Sequence, residues 1–250
     1  MYGEGQLIVE DPNLVEGVSI VIPARNEANY IRKTVEAIQK AIDELEIVAE
    51  IIVVNDDSTD QTADIAIEAG ARVIDVQLRN IGAVRNAGAA EAIYPWLIFV
   101  DADTLVPAAT IAATLHQLAG GDSGGGARVE LPNPEKLFFV KRWMFYAVVL
   151  FWHVLGGWAA GCYMFCRKEL FDSFGGFNEE YFAAEEYFFS KQLKALGEFR
   201  LVRPAVITSA RKLENYSVLQ LVKLVTMPLL NFGSLFQSRR GLDILYEDQR

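Results

Sequence analysis

The chain has 250 residues, 52% of them hydrophobic, which is enough for one α/β domain with a full core. Its formal net charge of −10 argues against a nucleic-acid binder, whose footprint is basic, so no nucleic-acid partner is expected. Cys162 and Cys166, the only two cysteines, read as buried reduced thiols, with too little Cys and His nearby for a disulfide framework or a metal set.

Residues 1–17 carry Glu4, Glu10, Asp11 and Glu16, with no basic start and no long apolar run. They read as a flexible leader and not a secretory signal, and a cytoplasmic protein is expected. Val18 to Ile22 is a β-rich run that stops at Pro23, the pattern of a buried parallel strand. Asn26 is placed to cap the next helix, where Ile31, Val35, Ile38, Ile42 and Leu45 share one face. Glu50 to Val54 is a second strand, and Ser58 with Gln61 suggests a capping box for a helix ending at Gly70. Arg72 to Val76 is a third strand, Ile81 to Ile93 an Ala-rich helix, and Trp96 to Val100 a fourth strand ending at Asp101. This β/α alternation predicts a mostly parallel sheet with helices on both faces.

Past Asp103 the pattern predicts a helix over about Pro107 to Ala119. Gly120, Gly121, Gly124, Gly125 and Gly126 read as a flexible loop, either a surface linker or a mobile active-site loop. Arg128 to Leu131 resembles a short strand, Gly175-Gly176-Phe177 a turn, and Tyr187 to Leu196 a helix stopped by Gly197. Two amphipathic stretches close the chain.

Ligands of open α/β sheets sit beyond the carboxyl ends of the strands. Three strands here run into polar clusters at that edge: Arg25-Asn26-Glu27, Asn55-Asp56-Asp57 and Asp101-Ala102-Asp103. Two carboxylates two residues apart suit one hard cation, Mn2+ or Mg2+, which leaves positions for water and phosphate oxygens. The alternative for Asp103 is a helix cap. Asp56 either caps or accepts the imide N–H of uracil or thymine. In Arg79 to Gly88, Gly82 allows close backbone approach to a ligand, the helix start offers N–H groups to an anion, and Arg85 is in reach of a base or phosphate. Close helix packing is the competing explanation for these glycines.

Val18 to Glu27, Val54 to Asp60, Asn80 to Gly88 and Asp101 to Asp103 resemble the successive blocks of the family 2 glycosyltransferases. Gly175-Gly176-Phe177-Asn178-Glu179, then Glu185-Glu186 and Gly197, resemble that family's acceptor-side block. The resemblance spans about residues 18–210. It implies a GT-A fold, a divalent metal, a nucleoside-diphosphate-sugar donor (a UDP-sugar first) and inversion at the anomeric carbon. By position it implies that Pro23, Ala24, Arg25 and Glu27 line the base and ribose, with Asp56 on the base. It puts Asp101, with Ala102, by the ribose or donor sugar, and gives the metal to Asp103 with Asp101. Glu186 becomes the general base, with Glu185 as the second candidate. Residues 18–104 would form the nucleotide-sugar half and 105–250 the acceptor half of a single domain. The implied setting is cell-envelope polysaccharide synthesis.

The chain departs from the family pattern in places. Asn55 replaces a usual Asp, Asp57 a usual Gly, and Glu186 a usual Asp. Arg211-Lys212 stands where the family commonly has a His, either serving the diphosphate or as solvated charge. Trp143 to Cys166 has 24 residues without Asp, Glu, Lys or Arg. As one helix it would be about 36 Å long, enough for a single crossing. A crossing would put the Asp101 and Glu186 clusters on opposite sides of the bilayer. The segment is therefore expected to be buried core plus a helix that touches acceptor or membrane, with a sugar or lipid-linked acceptor at the inner membrane face. Two rival readings are a sugar-phosphate nucleotidyltransferase and a non-catalytic, membrane-associated interaction protein. The first favours a glycine-rich basic loop after the first strand, unlike Pro23 to Glu27. The second has no need of Asp56, Asp101, Asp103 and Glu186 together.

Overall fold

The computed structural model describes residues 17–132, 139–150, 157–181 and 185–211. Strand β1 (Val18–Ala24) is buried along its whole length. Alternate side chains point to opposite faces of a strand, and here each face meets its own core. Val18, Ile20 and Ile22 pack with Ile31, Val35 and Ile38 of α1 (Ile31–Leu45). Val21 packs on the other side with Ile52 and Val54 of β2 (Ala49–Asp56). The chain continues through α2 (Thr62–Glu68), β3 (Arg72–Val76), α3 (Ile81–Ala90) and β4 (Trp96–Val100). Strands β1 to β4 pair in parallel, in the order β3-β2-β1-β4. The alternation expected from the sequence is therefore present.

The second half adds β5 (Thr104–Leu105), α4 (Ala108–Ala119), β6 (Gly124–Glu130), α5 (Phe139–Leu150), β7 (Tyr163–Arg167), α6 (Lys168–Ser173), α7 (Glu185–Leu196) and β8 (Phe199–Thr208). It extends the same sheet to eight strands, in the order β3-β2-β1-β4-β7-β6-β8-β5. Here β7 runs antiparallel to β4 and to β6, while β6 and β8 are parallel.

The expected glycine loop is half wrong. Gly124, Gly125 and Gly126 are buried inside β6. A Cβ on Gly125 would run into the Arg200 carbonyl and the Phe165 ring, so the glycines let neighbouring strands and side chains close in. The two expected helix caps are also corrected. Asn26 has φ +54° and turns its side-chain oxygen to the Thr59 N–H at 2.8 Å, leaving α1 without a side-chain cap. No capping box forms at α2; the Ser58 hydroxyl accepts from the Asn26 N–H at 3.0 Å, and Asp60 accepts from the Thr62 N–H at 3.0 Å. The polar residues after β1 and β2 thus bind the two loops together.

The apolar segment divides between α5 and β7, and among the described residues no helix is long and apolar enough to cross a membrane. Phe139, Trp143, Tyr146 and Leu150 of α5 are exposed, and their spacing of three and four sets them on one face. Cys162 and Cys166 are buried free thiols. Most of the expected leader, Phe151 and Trp152, and the closing amphipathic stretches lie outside the described residues.

Candidate active site

The carboxyl ends of β1, β2 and β4 set the floor. Pro23 and Ala24 close β1 in register with Val54 and Asn55 of β2. Both are buried, and the chain emerges at Arg25. Asp56 closes β2, and its carboxylate holds the loop before α3, accepting from the N–H of Leu78 at 2.7 Å and of Arg79 at 3.0 Å. Beside it, Asp57 pairs with the Arg79 guanidinium.

After β4 the chain alternates. Ala102 is buried, and its carbonyl accepts from the Thr34 hydroxyl at 2.7 Å. Asp101 and Asp103, on either side of it, stay partly exposed. Asp103 is then drawn to the far end of the sheet. Thr104 and Leu105 of β5 pair with Thr208 and Ile207 of β8. That pairing delivers Ser209, whose hydroxyl donates to the Asp103 carboxylate, and Arg211. The Arg211 guanidinium grips Glu27 through two bonds, of 2.7 and 3.0 Å, and reaches Asp103 at 3.4 Å. It lies 4.9 Å over the Tyr30 ring. Burial raises the Glu27 carboxyl above its usual range, against the pull of Arg211 and with help from the charges of Asp103 and Asp101. Three carboxylates therefore crowd one spot, and a cationic side chain already sits among them.

Among the described residues no group of three or more His, Cys, Asp and Glu is placed to hold a metal by itself. The oxygens of Asp103 and Asp101 do fit a hard cation that takes its other ligands from water and diphosphate. Attraction of Arg211 to the same cluster supports that fit.

The other side of the site is built on α3 and α7. Arg85 is 1% exposed; its Nη1 donates to Glu185 at 2.7 Å, its Nη2 to Asp101 and to the Gly161 carbonyl, each at 3.0 Å. Burial works against this charge, but Asp101 and Glu185 outweigh it, so the guanidinium is held above its usual range. Arg85 was expected at a base or phosphate; it is instead an internal tie between the two acidic clusters. Gly82 is likewise corrected: a Cβ there would lie 3.2 Å from the Cβ of Phe177, so protein and not ligand approaches it. The start of α3 is capped by Asn80, whose oxygen accepts from the Ala83 N–H at 2.9 Å.

Glu186 follows Glu185 in the first turn of α7. Burial, then the neighbouring Glu185, pushes its carboxyl from 4.5 up to about 8. A Cβ on Gly161 would stand 3.9 Å from its carboxyl carbon, so Glu186 lies against the same backbone that Arg85 holds.

The Gly175-Gly176-Phe177 turn places this helix. Gly176 has φ +76°, and a Cβ there would strike Asn86 and the Phe171 ring. Asn86 accepts from the Phe177 N–H at 2.8 Å and donates to its carbonyl at 2.9 Å. The Phe177 ring stacks on Phe189 of α7 at 4.9 Å and meets Phe99 of β4 edge-on at 5.1 Å. Asp101, Asp103, Glu27, Glu185 and Glu186 are thus brought to one end of the sheet. Asp56 and Arg25 line its other side by Asp57 and Arg79. Sequence reasoning missed Asn80, Asn86 and Ser209, and left Arg211 between two roles; Asn80 is a helix cap with a partner three residues on, but the partners of the other three lie far along the chain.

The sequence pattern of Glycosyl transferase family 2 matches residues 19–173. A 4,4'-diaponeurosporenoate glycosyltransferase of Staphylococcus haemolyticus is 37% identical over 95 residues, 35% of this chain and 24% of the relative. The chain spans about a quarter to a third of the curated relatives it matches. Among solved structures, glucosyl-3-phosphoglycerate synthase from Mycobacterium tuberculosis, with Mn2+ and UDP-glucose, superposes with a TM-score of 0.62 at 18% identity, covering 94% of this chain and 86% of that one. A mannosyltransferase from Pyrobaculum calidifontis, with GDP-mannose and Mn2+, gives 0.62 at 19% identity, covering 90% and 67%. These likenesses establish the GT-A fold.

Proposed function

The chain belongs to glycosyl transferase family 2, and on that premise we propose that it is an inverting transferase moving a sugar from a nucleoside diphosphate, UDP first, to an acceptor hydroxyl. The observation that carries this is the tie of Asp101 to Glu185 through Arg85, with Asp103 and Glu186 beside them in the chain. A nucleotidyltransferase reading loses its ground with the family match, and the assembled carboxylates speak against a binding-only scaffold.

Glu185 is engaged by the Arg85 guanidinium, so Glu186 is the base. Its carboxylate takes the acceptor O–H proton while the acceptor oxygen bonds to the anomeric carbon. The bond from that carbon to the diphosphate breaks, and the nucleoside diphosphate leaves with the electron pair. Asp103, with Asp101, would hold the Mn2+ or Mg2+, which supplies charge neutralisation for the departing diphosphate. Pro23, Ala24, Arg25 and Glu27 line the nucleoside. Asp56 keeps acceptor capacity for an imide N–H beyond its two backbone partners, since a carboxylate offers about four lone-pair sites.

The exposed face of Phe139, Trp143, Tyr146 and Leu150 supports peripheral contact with a membrane and a lipid-linked or otherwise amphiphilic acceptor. In this reading the protein works at the inner face of the membrane, in cell-envelope synthesis. The direct test is release of nucleoside diphosphate from a panel of UDP-sugars and GDP-mannose, with Mn2+, Mg2+ or chelator. Release from a UDP-sugar that chelator abolishes is the expected outcome; no release from any donor would refute the proposal.

A further inference from the structure

Among the described residues Arg85 is the largest side chain that is fully buried. Its surroundings join four parts of the chain far apart in sequence. Nη1 donates to Glu185 at the start of α7, and Nη2 to Asp101 beyond β4 and to the Gly161 carbonyl before β7. The guanidinium also lies 5.4 Å over the ring of Phe177. A guanidinium is a planar fork, so the directions to its partners are fixed relative to one another. Glu185 cannot shift toward or away from Asp101 without breaking one arm. Glu186 is the next residue on the same helix, one step of about 1.5 Å along its axis. Its carboxyl stands against Gly161, which Arg85 also holds.

Resting on the transfer reading above, we propose that Arg85 is a positioning residue of the reaction. It fixes the distance between donor-side Asp101 and the Glu186 base, and keeps Glu185 as its own counter-ion. Arg85 touches no reacting atom; it acts through Asp101 and Glu185. A merely structural role would be the same buried charge pair serving only to hold α3 and α7 together. The two roles differ in what happens when the pair is replaced rather than broken. Removing one partner strands a buried charge and destabilises the protein under either reading. Replacing both partners by apolar residues of similar size is often neutral for stability. It leaves Asp101, whose side chain is 29% exposed and remains solvated.

The test compares wild type, Arg85→Lys, and the double variant Arg85→Met with Glu185→Met. The probe is UDP-glucose with Mn2+, followed by UDP release, with UDP affinity by calorimetry and thermal melting alongside. The double variant is expected to melt near wild type and bind UDP within about 3-fold. Its kcat should fall about 10²-fold with the donor KM unchanged, the signature of a lost reaction geometry. Arg85→Lys keeps a buried positive charge but a single ammonium in place of the fork, and should lose about 10-fold in kcat at constant KM. A folded double variant with wild-type kcat overturns the proposal. A wild-type kcat in Arg85→Lys overturns it even where the double variant does not fold. A raised KM at constant kcat also overturns it, making Arg85 a donor-binding residue. A wild type that releases no nucleoside diphosphate from UDP-glucose or from any other donor of the panel overturns the transfer reading, and this with it; a wild type and variants that all turn over equally sink only the role of Arg85.

Discussion

Glu186→Gln should kill transfer and stabilise the protein in alkaline solution, and both effects follow from one burial. The carboxyl is pushed from 4.5 up to about 8, by burial first and Glu185 second. A carboxyl raised on folding stabilises the native state through its proton. That contribution is full below pH 4.5 and is lost as pH rises through about 8. Each unit is worth about 1.4 kcal/mol, so the loss is on the order of 2–5 kcal/mol above pH 8. Gln is neutral at every pH and escapes it. The stability gap between variant and wild type should therefore be near zero at pH 4.5 and grow to its full size above pH 8. At roughly 2–4 °C per kcal/mol for a domain of this size, melting curves taken across that range resolve it easily. The rate moves the other way. The base acts only when ionised, so turnover should climb with pH through about 8, and the Gln variant should lose about 10²–10⁴ in kcat with UDP binding retained. A stability gap that is flat with pH would refute the burial argument. An active Glu186→Gln beside a dead Glu185→Gln would move the base by one residue.

Three more outcomes are expected. Calorimetry of UDP with and without Mn2+ should show tighter binding with metal in wild type and no metal effect in Asp103→Ala; equal affinity in all four titrations would remove the metal from Asp103. Gly125→Ala should lower the unfolding free energy, read from denaturant titration, by about 2–3 kcal/mol or prevent folding, because its Cβ meets the Arg200 carbonyl; a neutral effect would mean that β6 and β8 can move apart. Flotation with anionic liposomes should carry the wild type, be reversed by high salt or carbonate, and weaken in Trp143→Ala with Tyr146→Ala; a protein that never floats would cut the membrane from the proposal.

The first half of the sheet was legible because its determinants are local. A β-rich run, a helix period and a polar cluster at the strand end are all read within a few residues, and β1 to β4 formed where those patterns lay. Asp101 and Asp103 follow from the same logic: a strand that is buried to Val100 has to surface there, and alternation buries Ala102 between them. The caps failed for a related reason. Asn26, Ser58 and Asp60 are the residue types that cap helices, but two loops lying side by side offered N–H groups that competed for them.

The rest was legible only as a list of residues, since what positions each one comes from far along the chain. Gly124 to Gly126 carry a loop's composition, and only the nearness of Phe165 and Arg200 turns them into a strand. Arg85 sits 100 residues from Glu185, and Arg211 sits 184 from Glu27, so no periodicity links either pair. Yet both pairings obey one rule. A charge that is buried must meet its opposite, and this chain gathers Glu27, Asp101, Asp103, Glu185 and Glu186 at one sheet end. The basic residues that fall beside that end are then the ones to suspect of holding it together. Arg85 lies one turn into the helix that precedes the strand running into Asp101, and Arg211 three residues past β8. Arg79 likewise pairs with Asp57 beside Asp56, but both side chains are partly exposed, so burial does not compel that pair. The site is framed by three arginines, each set against a different carboxylate cluster.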